Sequence, residues 1–190
     1  MSDAPPRRSV IRGVFRLARF QPVGFAEFGA TRQAFLNSLA PLIAFPLVGG
    51  ALMLLSGGGL GVLTDLLATL IALIAPAVIA ATLAERWQRG EWWPRYAVAF
   101  NWSQWAVPVV ALALLMATGV LRRMGLGEQQ AAIAVLFAIA AYGISLHWFL
   151  ARHGLGLSVG RTTLLVIAIN LGTVALVMAP RFVAAVLFQG

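Results

Sequence analysis

The chain has 190 residues, 61% hydrophobic and 11% charged, where a soluble domain runs near half apolar and about a quarter charged, so it falls in the membrane class. Its net charge of +8 comes from fourteen arginines without a lysine, confined mostly to the gaps between long apolar runs, which leaves no soluble surface for a basic groove and argues against nucleic acid as a partner. The absence of cysteine excludes disulfides, thiolate metal sites, iron–sulfur clusters and cysteine catalysis.

Residues 1–35 read as a cytoplasmic arm. Within it Arg8, Arg12, Arg16 and Arg19 recur at spacings of four, four and three, on one face of a helix over about 9–20. Val10, Val14 and Leu17 form an apolar stripe, Ser9 is placed to cap the start and Pro22 to end the helix. A basic face beside an apolar one predicts a helix lying in the membrane interface. The four arginines are then contacts for anionic lipid headgroups, each contributing about 1 kcal/mol. No cleavable signal peptide is expected, because the first long apolar run begins only near residue 36.

Five apolar stretches follow, at about 36–56, 62–84, 97–121, 131–150 and 162–180, each near the roughly 20 residues a helix needs to cross a bilayer. Gly57-Gly58-Gly59 separates the first two as a tight hairpin, and the other breaks carry charge or turn residues. The expected fold is all-α: a polytopic bundle of five transmembrane helices over 36–185, preceded by the basic amphipathic interfacial helix. Residues 186–190 form a short tail resembling part of a viral-protease tag site, and no role is assigned to them. Counting arginines on alternate sides gives eleven against three, which predicts a cytoplasmic N-terminus and a periplasmic C-terminus. The six tryptophans cluster at or near the cytoplasmic ends of spans, where their amphipathic rings suit the headgroup level. The location implied is the bacterial inner membrane.

Ionisable groups inside spans are costly and usually functional, and this chain has few. Asp65 falls near the outer start of the second span, where an early-turn acid suits the helix dipole. Asn101 and Gln104 are the deepest amides and share a face with Pro108 and Ala111, while Trp102, Trp105, Val109 and Leu112 occupy another. Amides in hydrocarbon hydrogen-bond across helices, and Asn170 in the fifth span is the expected distant partner of that face. Pro41, Pro46, Pro76 and Pro108 are candidate kink points. Rows of small residues, Ala134/Ala138/Ala141/Ser145 and Ala168/Gly172/Ala175/Ala179, predict close approach to neighbouring helices or to another subunit.

No catalytic, cofactor or metal site emerges. The two histidines, His147 and His153, lie close together on one span, which disfavours haem ligation from two sides, and no His/Asp/Glu cluster suits a metal. Ser145 and His147 point to different helix faces, so a serine–histidine pair is not supported.

Three segments carry a family likeness: 28–35 (FGATRQAF), 95–102 (RYAVAFNW) and 147–152 (HWFLAR). They resemble a group of uncharacterised alphaproteobacterial inner-membrane proteins, distantly like the Yip1-type five-helix membrane domain. The resemblance implies a five-helix bundle with a cytoplasmic N-terminal segment and carries over no catalytic residues. Where that pattern has Tyr before Asn-Trp, this chain has Phe100. The expected function is non-enzymatic: an accessory or scaffold subunit of a larger membrane assembly, or a lipid-organising protein, with membrane lipids and other subunits or further copies as partners. The alternative is a small-molecule transporter or channel using the polar face of the third span.

Overall fold

A backbone in hydrocarbon finds no water for its N–H and C=O groups, so each apolar run has to satisfy them within itself as a helix. A computed structural model describes residues 9–188, with side chains through Ala179 apart from Leu60. Helix α1 (Val10–Ala18) and a 3-10 turn (Pro22–Glu27) precede α2 (Arg32–Leu55) and α3 (Leu60–Arg86). A second 3-10 turn (Gly90–Trp92) leads into α4 (Trp93–Ser103), α5 (Ala106–Arg123), α6 (Glu128–Gly154) and α7 (Val159–Phe188). Five segments are long and apolar enough to cross a membrane: Arg32–Leu55, Gly61–Arg86, Gly90–Arg123, Glu128–Gly154 and Val159–Ala179. The protein is an all-α, polytopic bundle with five spans and a short helix in front. Residues 189–190 and Arg8 lie outside the described residues.

Helix ends follow from local chemistry. Ser9 caps α1, its side chain accepting from the Arg12 N–H at 3.4 Å. At the end of α2, Gly57 takes φ +88°, so that its N–H reaches Leu54 O and the Gly58 N–H reaches Met53 O. α1 and α3 close with the same bond pattern through non-glycine residues, Phe20 and Gln88. Pro41, Pro46 and Pro76 are carried inside continuous helices. Pro108 is not: having no N–H for the carbonyl four residues back, it coincides with a break at Gln104–Trp105 that divides the third span into α4 and α5.

The spans pack as a ring. α2 lies on α3 and α4, α3 on α7, α7 on α6, and α6 on α4 and α5. The α3–α7 contact is the most extensive, and Gly172 belongs to it: a Cβ there would meet Ile79 Cδ1 at 2.8 Å. Ala68, Ala75, Ala77, Ala80 and Ala84 keep α3 narrow along its buried side. The small-residue row on α6 does not behave as expected. Ala134, Ala141 and Ser145 are exposed and Ala138 is half-buried, because α6 turns its Leu146–Phe149–Leu150 side inward.

Burial is concentrated at the end that carries most arginines. There Ala84, Tyr96, Phe100, Leu150, Leu155 and Leu165 form one core with Leu17, Phe25 and Phe28 from the arm. The large apolar side chains that face outward run mainly along 45–55, 63–78, 109–124, 133–144 and 164–176. This belt is the surface suited to lipid contact. On α6 it stops at Ile144, so the last ten or so residues extend about 15 Å past it. Asn37, Thr82, Glu85, Arg95 and His153 are exposed in that projecting end.

Candidate functional site: a polar cleft at the α4–α5 break

The break near Pro108 places Ser103 and Gln104 at the C-terminal end of α4, beside α6 and α7. On α6, Ala140, Gly143 and His147 follow at helical spacing, and the two small residues leave room in front of the imidazole. α7 contributes Asn170 and Thr173, three residues apart, and α3 contributes Pro76. Together with apolar side chains that make up most of the wall, among them Val107, Ile144, Leu150 and Ile169, they bound a cleft of about 530 Å³, within the range of roughly 300–1,000 Å³ that small-molecule sites occupy.

The cleft wall holds polar atoms that the protein does not satisfy. Ser103 Oγ, His147 Nε2 and Thr173 Oγ1 are buried and without hydrogen-bond partners among the described residues. Each such group costs about 1–3 kcal/mol when left unpaired. The His147 ring packs against Phe100 with centroids 4.9 Å apart and the planes tilted by 50°. Asn170 is tied back to its own helix, Nδ2 donating to Val166 O at 2.8 Å. Among the described residues the lining includes no Asp, Glu, Arg or Lys.

Two of the four expected intramembrane polar residues, Gln104 and Asn170, line this cleft. Asn101 does not. Its Nδ2 donates to Ser38 Oγ of α2 at 3.0 Å in a buried bond, and Ser38 Oγ donates onward to Phe35 O at 2.7 Å. The expected Asn101–Asn170 partnership is thus corrected to Asn101–Ser38. α4 lies between α2 and α6, so residues three apart on its last turn meet different neighbours. Asp65 sits exposed on α3 and takes no part in the cleft.

No protein-family model, curated protein or solved structure matches this chain. The chemistry of its sites has to come from its own residues.

The arm also differs from a free interfacial helix. α1 docks on the bundle: Leu17 is fully buried, Gly13 sits against the Phe28 ring, and Tyr142 Oη of α6 donates to Ala18 O at 3.0 Å. Glu27 organises its basic face, lying 3.1 Å from Arg16 and 3.9 Å from Arg12 while accepting from the Ser9 N–H at 3.0 Å. Arg19 instead lies over the Phe15 ring at 3.9 Å. Of the four arginines expected to contact lipid headgroups, Arg12 and Arg16 thus have an internal carboxylate, and Arg8 lies outside the described residues.

Sequence reasoning missed Ser103, Thr173 and Glu27, and weighed His147 only as a haem ligand or a partner for Ser145. A signal was present for His147 and Thr173: the 140/143/147 and 170/173 spacings each put small or polar residues on one helix face. Glu27 carried none, because its partners are brought to it by the turn at Phe20 and Pro22.

Proposed function

We propose that this is a non-enzymatic multi-pass protein of the bacterial inner membrane that binds a small uncharged polar solute in the cleft and carries it across. The observation behind this is the convergence of Ser103, Gln104, His147, Asn170 and Thr173 from α4, α6 and α7 on one cleft, three of them with polar atoms closed within the wall and unpartnered among the described residues. Buried groups of this kind are stabilised when water or a ligand supplies the missing bonds. A lining without Asp, Glu, Arg or Lys favours a neutral solute bearing both donors and acceptors. Ser103 Oγ and His147 Nε2 are not hydrogen-bonded to each other and no carboxylate among the described residues lines the cleft, which supports binding over nucleophilic catalysis.

The eleven-to-three arginine distribution supports a cytoplasmic N-terminus and a periplasmic C-terminus. The likeness of three segments to alphaproteobacterial inner-membrane proteins supports the choice of membrane. Purified protein in proteoliposomes, followed by stopped-flow light scattering on glycerol and urea gradients, tests the proposal. Solute entry should exceed that of protein-free vesicles and fall in Gln104→Leu and Thr173→Val. Entry at the protein-free rate for every solute tried overturns it.

A second function, as accessory subunit of a larger assembly, is favoured by the outward-facing Ala134, Ala141 and Ser145 of α6. Co-purification in mild detergent followed by mass spectrometry discriminates the two: a monomer with no stoichiometric protein partner argues against the subunit role.

A further inference from the structure

Behind the α4–α5 break, on the side away from the polar cleft, a groove of about 680 Å³ runs between α1, α2 and α5. We propose that it holds one acyl chain of an anionic phospholipid, with the Arg19 guanidinium on that lipid's phosphate. Three observations carry this independently of the solute cleft.

The first is lining. Val14 and Phe15 of α1, Phe45 of α2, and Trp105 and Val109 beside the break give an apolar surface, and Arg19 is the only charged residue among the described residues that bound it. The second is position. Phe45 and Val109 are 67% and 68% exposed and begin the outward apolar belt on their helices, so the groove opens where hydrocarbon meets the projecting basic end. A phospholipid is the molecule that presents a chain and a charge at that boundary. The third is charge. Arg12 and Arg16 lie with Glu27, whereas Arg19 has a ring beneath it and no carboxylate partner among the described residues. A phosphate complements that cation, and Arg is well suited to hold one.

A site of this kind differs from general attraction of a basic arm to an acidic leaflet. Removing any one arginine lowers the arm's charge equally, yet only Arg19 belongs to the groove. Native mass spectrometry of the detergent-solubilised protein, titrated with dioleoyl phosphatidylglycerol or dioleoyl phosphatidylcholine, separates the two. Phosphatidylglycerol should be retained over phosphatidylcholine by about five-fold, the worth of one arginine at an anionic headgroup. Arg19→Gln should abolish that preference, and Arg12→Gln should keep it. Val109→Trp, a substitution at an outward position that fills the groove, should reduce retention of both lipids. Inorganic phosphate should not displace the lipid, which distinguishes a chain-and-headgroup site from a phosphate site alone. Equal retention of the two lipids, equal loss in Arg12→Gln and Arg19→Gln, undiminished binding in Val109→Trp, or displacement by phosphate would each overturn the proposal.

Discussion

Two tyrosines show how one hydroxyl stabilises or destabilises according to its partner. Tyr142 Oη donates to the Ala18 carbonyl at the end of α1, so Tyr142→Phe leaves that contact unmade and should lower stability by about 1 kcal/mol. Tyr96 is 1% exposed and its hydroxyl has no partner among the described residues. Tyr96→Phe removes an unsatisfied group while keeping the ring against Gly154, and should leave stability unchanged or raise it by up to about 1 kcal/mol. Thermal unfolding in one detergent measures both, and a loss of stability in Tyr96→Phe as large as that in Tyr142→Phe would contradict the assignment. The Asn101–Ser38 bond belongs to the same scale. Asn101→Ala should destabilise by about 1–3 kcal/mol because Ser38 stays buried, without altering solute entry through the cleft.

At the scale of elements, the α4–α5 break and the docked arm are the two features to perturb. Pro108→Ala supplies the N–H that the Gln104 carbonyl lacks. Amide exchange over 104–108 should slow as α4 and α5 join into one helix, and exchange as fast as in the parent chain would show that another cause maintains the break. For the arm, Glu27 holds Arg12, Arg16 and the start of α1 together. Glu27→Gln weakens all three contacts, so limited trypsin digestion at the arm's arginines should accelerate several-fold. Cleavage at the parent rate would mean that Leu17 and Phe28 alone keep α1 docked.

For the molecule as a whole, the outward apolar belt predicts which part lies in lipid. Because the chain has no cysteine, single-cysteine labelling has no background. In vesicles opened to reagent on both sides, cysteines at Asn37, Thr82 and His153 should react with a charged maleimide, and those at Val48, Leu112 and Leu136 should not. Labelling confined to the turns, with Asn37 and Thr82 protected, would move the lipid boundary out to the helix ends. A boundary at the belt also places α1, the α4–α5 break and both cavities near one level. The polar cleft then lies just inside the hydrocarbon and the Arg19 groove opens at its border.

Hydropathy alone determined the five spans, because the cost of unsatisfied backbone in hydrocarbon forces any apolar run of sufficient length into a helix. The expected stretch 36–56 became Arg32–Leu55, and 131–150 became Glu128–Gly154. The Ser9 cap and the Gly57 turn were equally legible, since both depend on near neighbours in the chain. Tertiary structure decided the rest. Whether Asn101 met Asn170 or Ser38 depended on which helices flank α4, and the sequence of one helix contains no record of its neighbours. His147 became part of a cleft only when Ser103 and Thr173 arrived from other spans. The composition of the arm announced a basic interfacial helix, but a single acid eleven residues past Arg16 took up Arg16 and lay beside Arg12. Arg19 was left at the groove, and only the packed chain shows why one arginine of that face differs from the others.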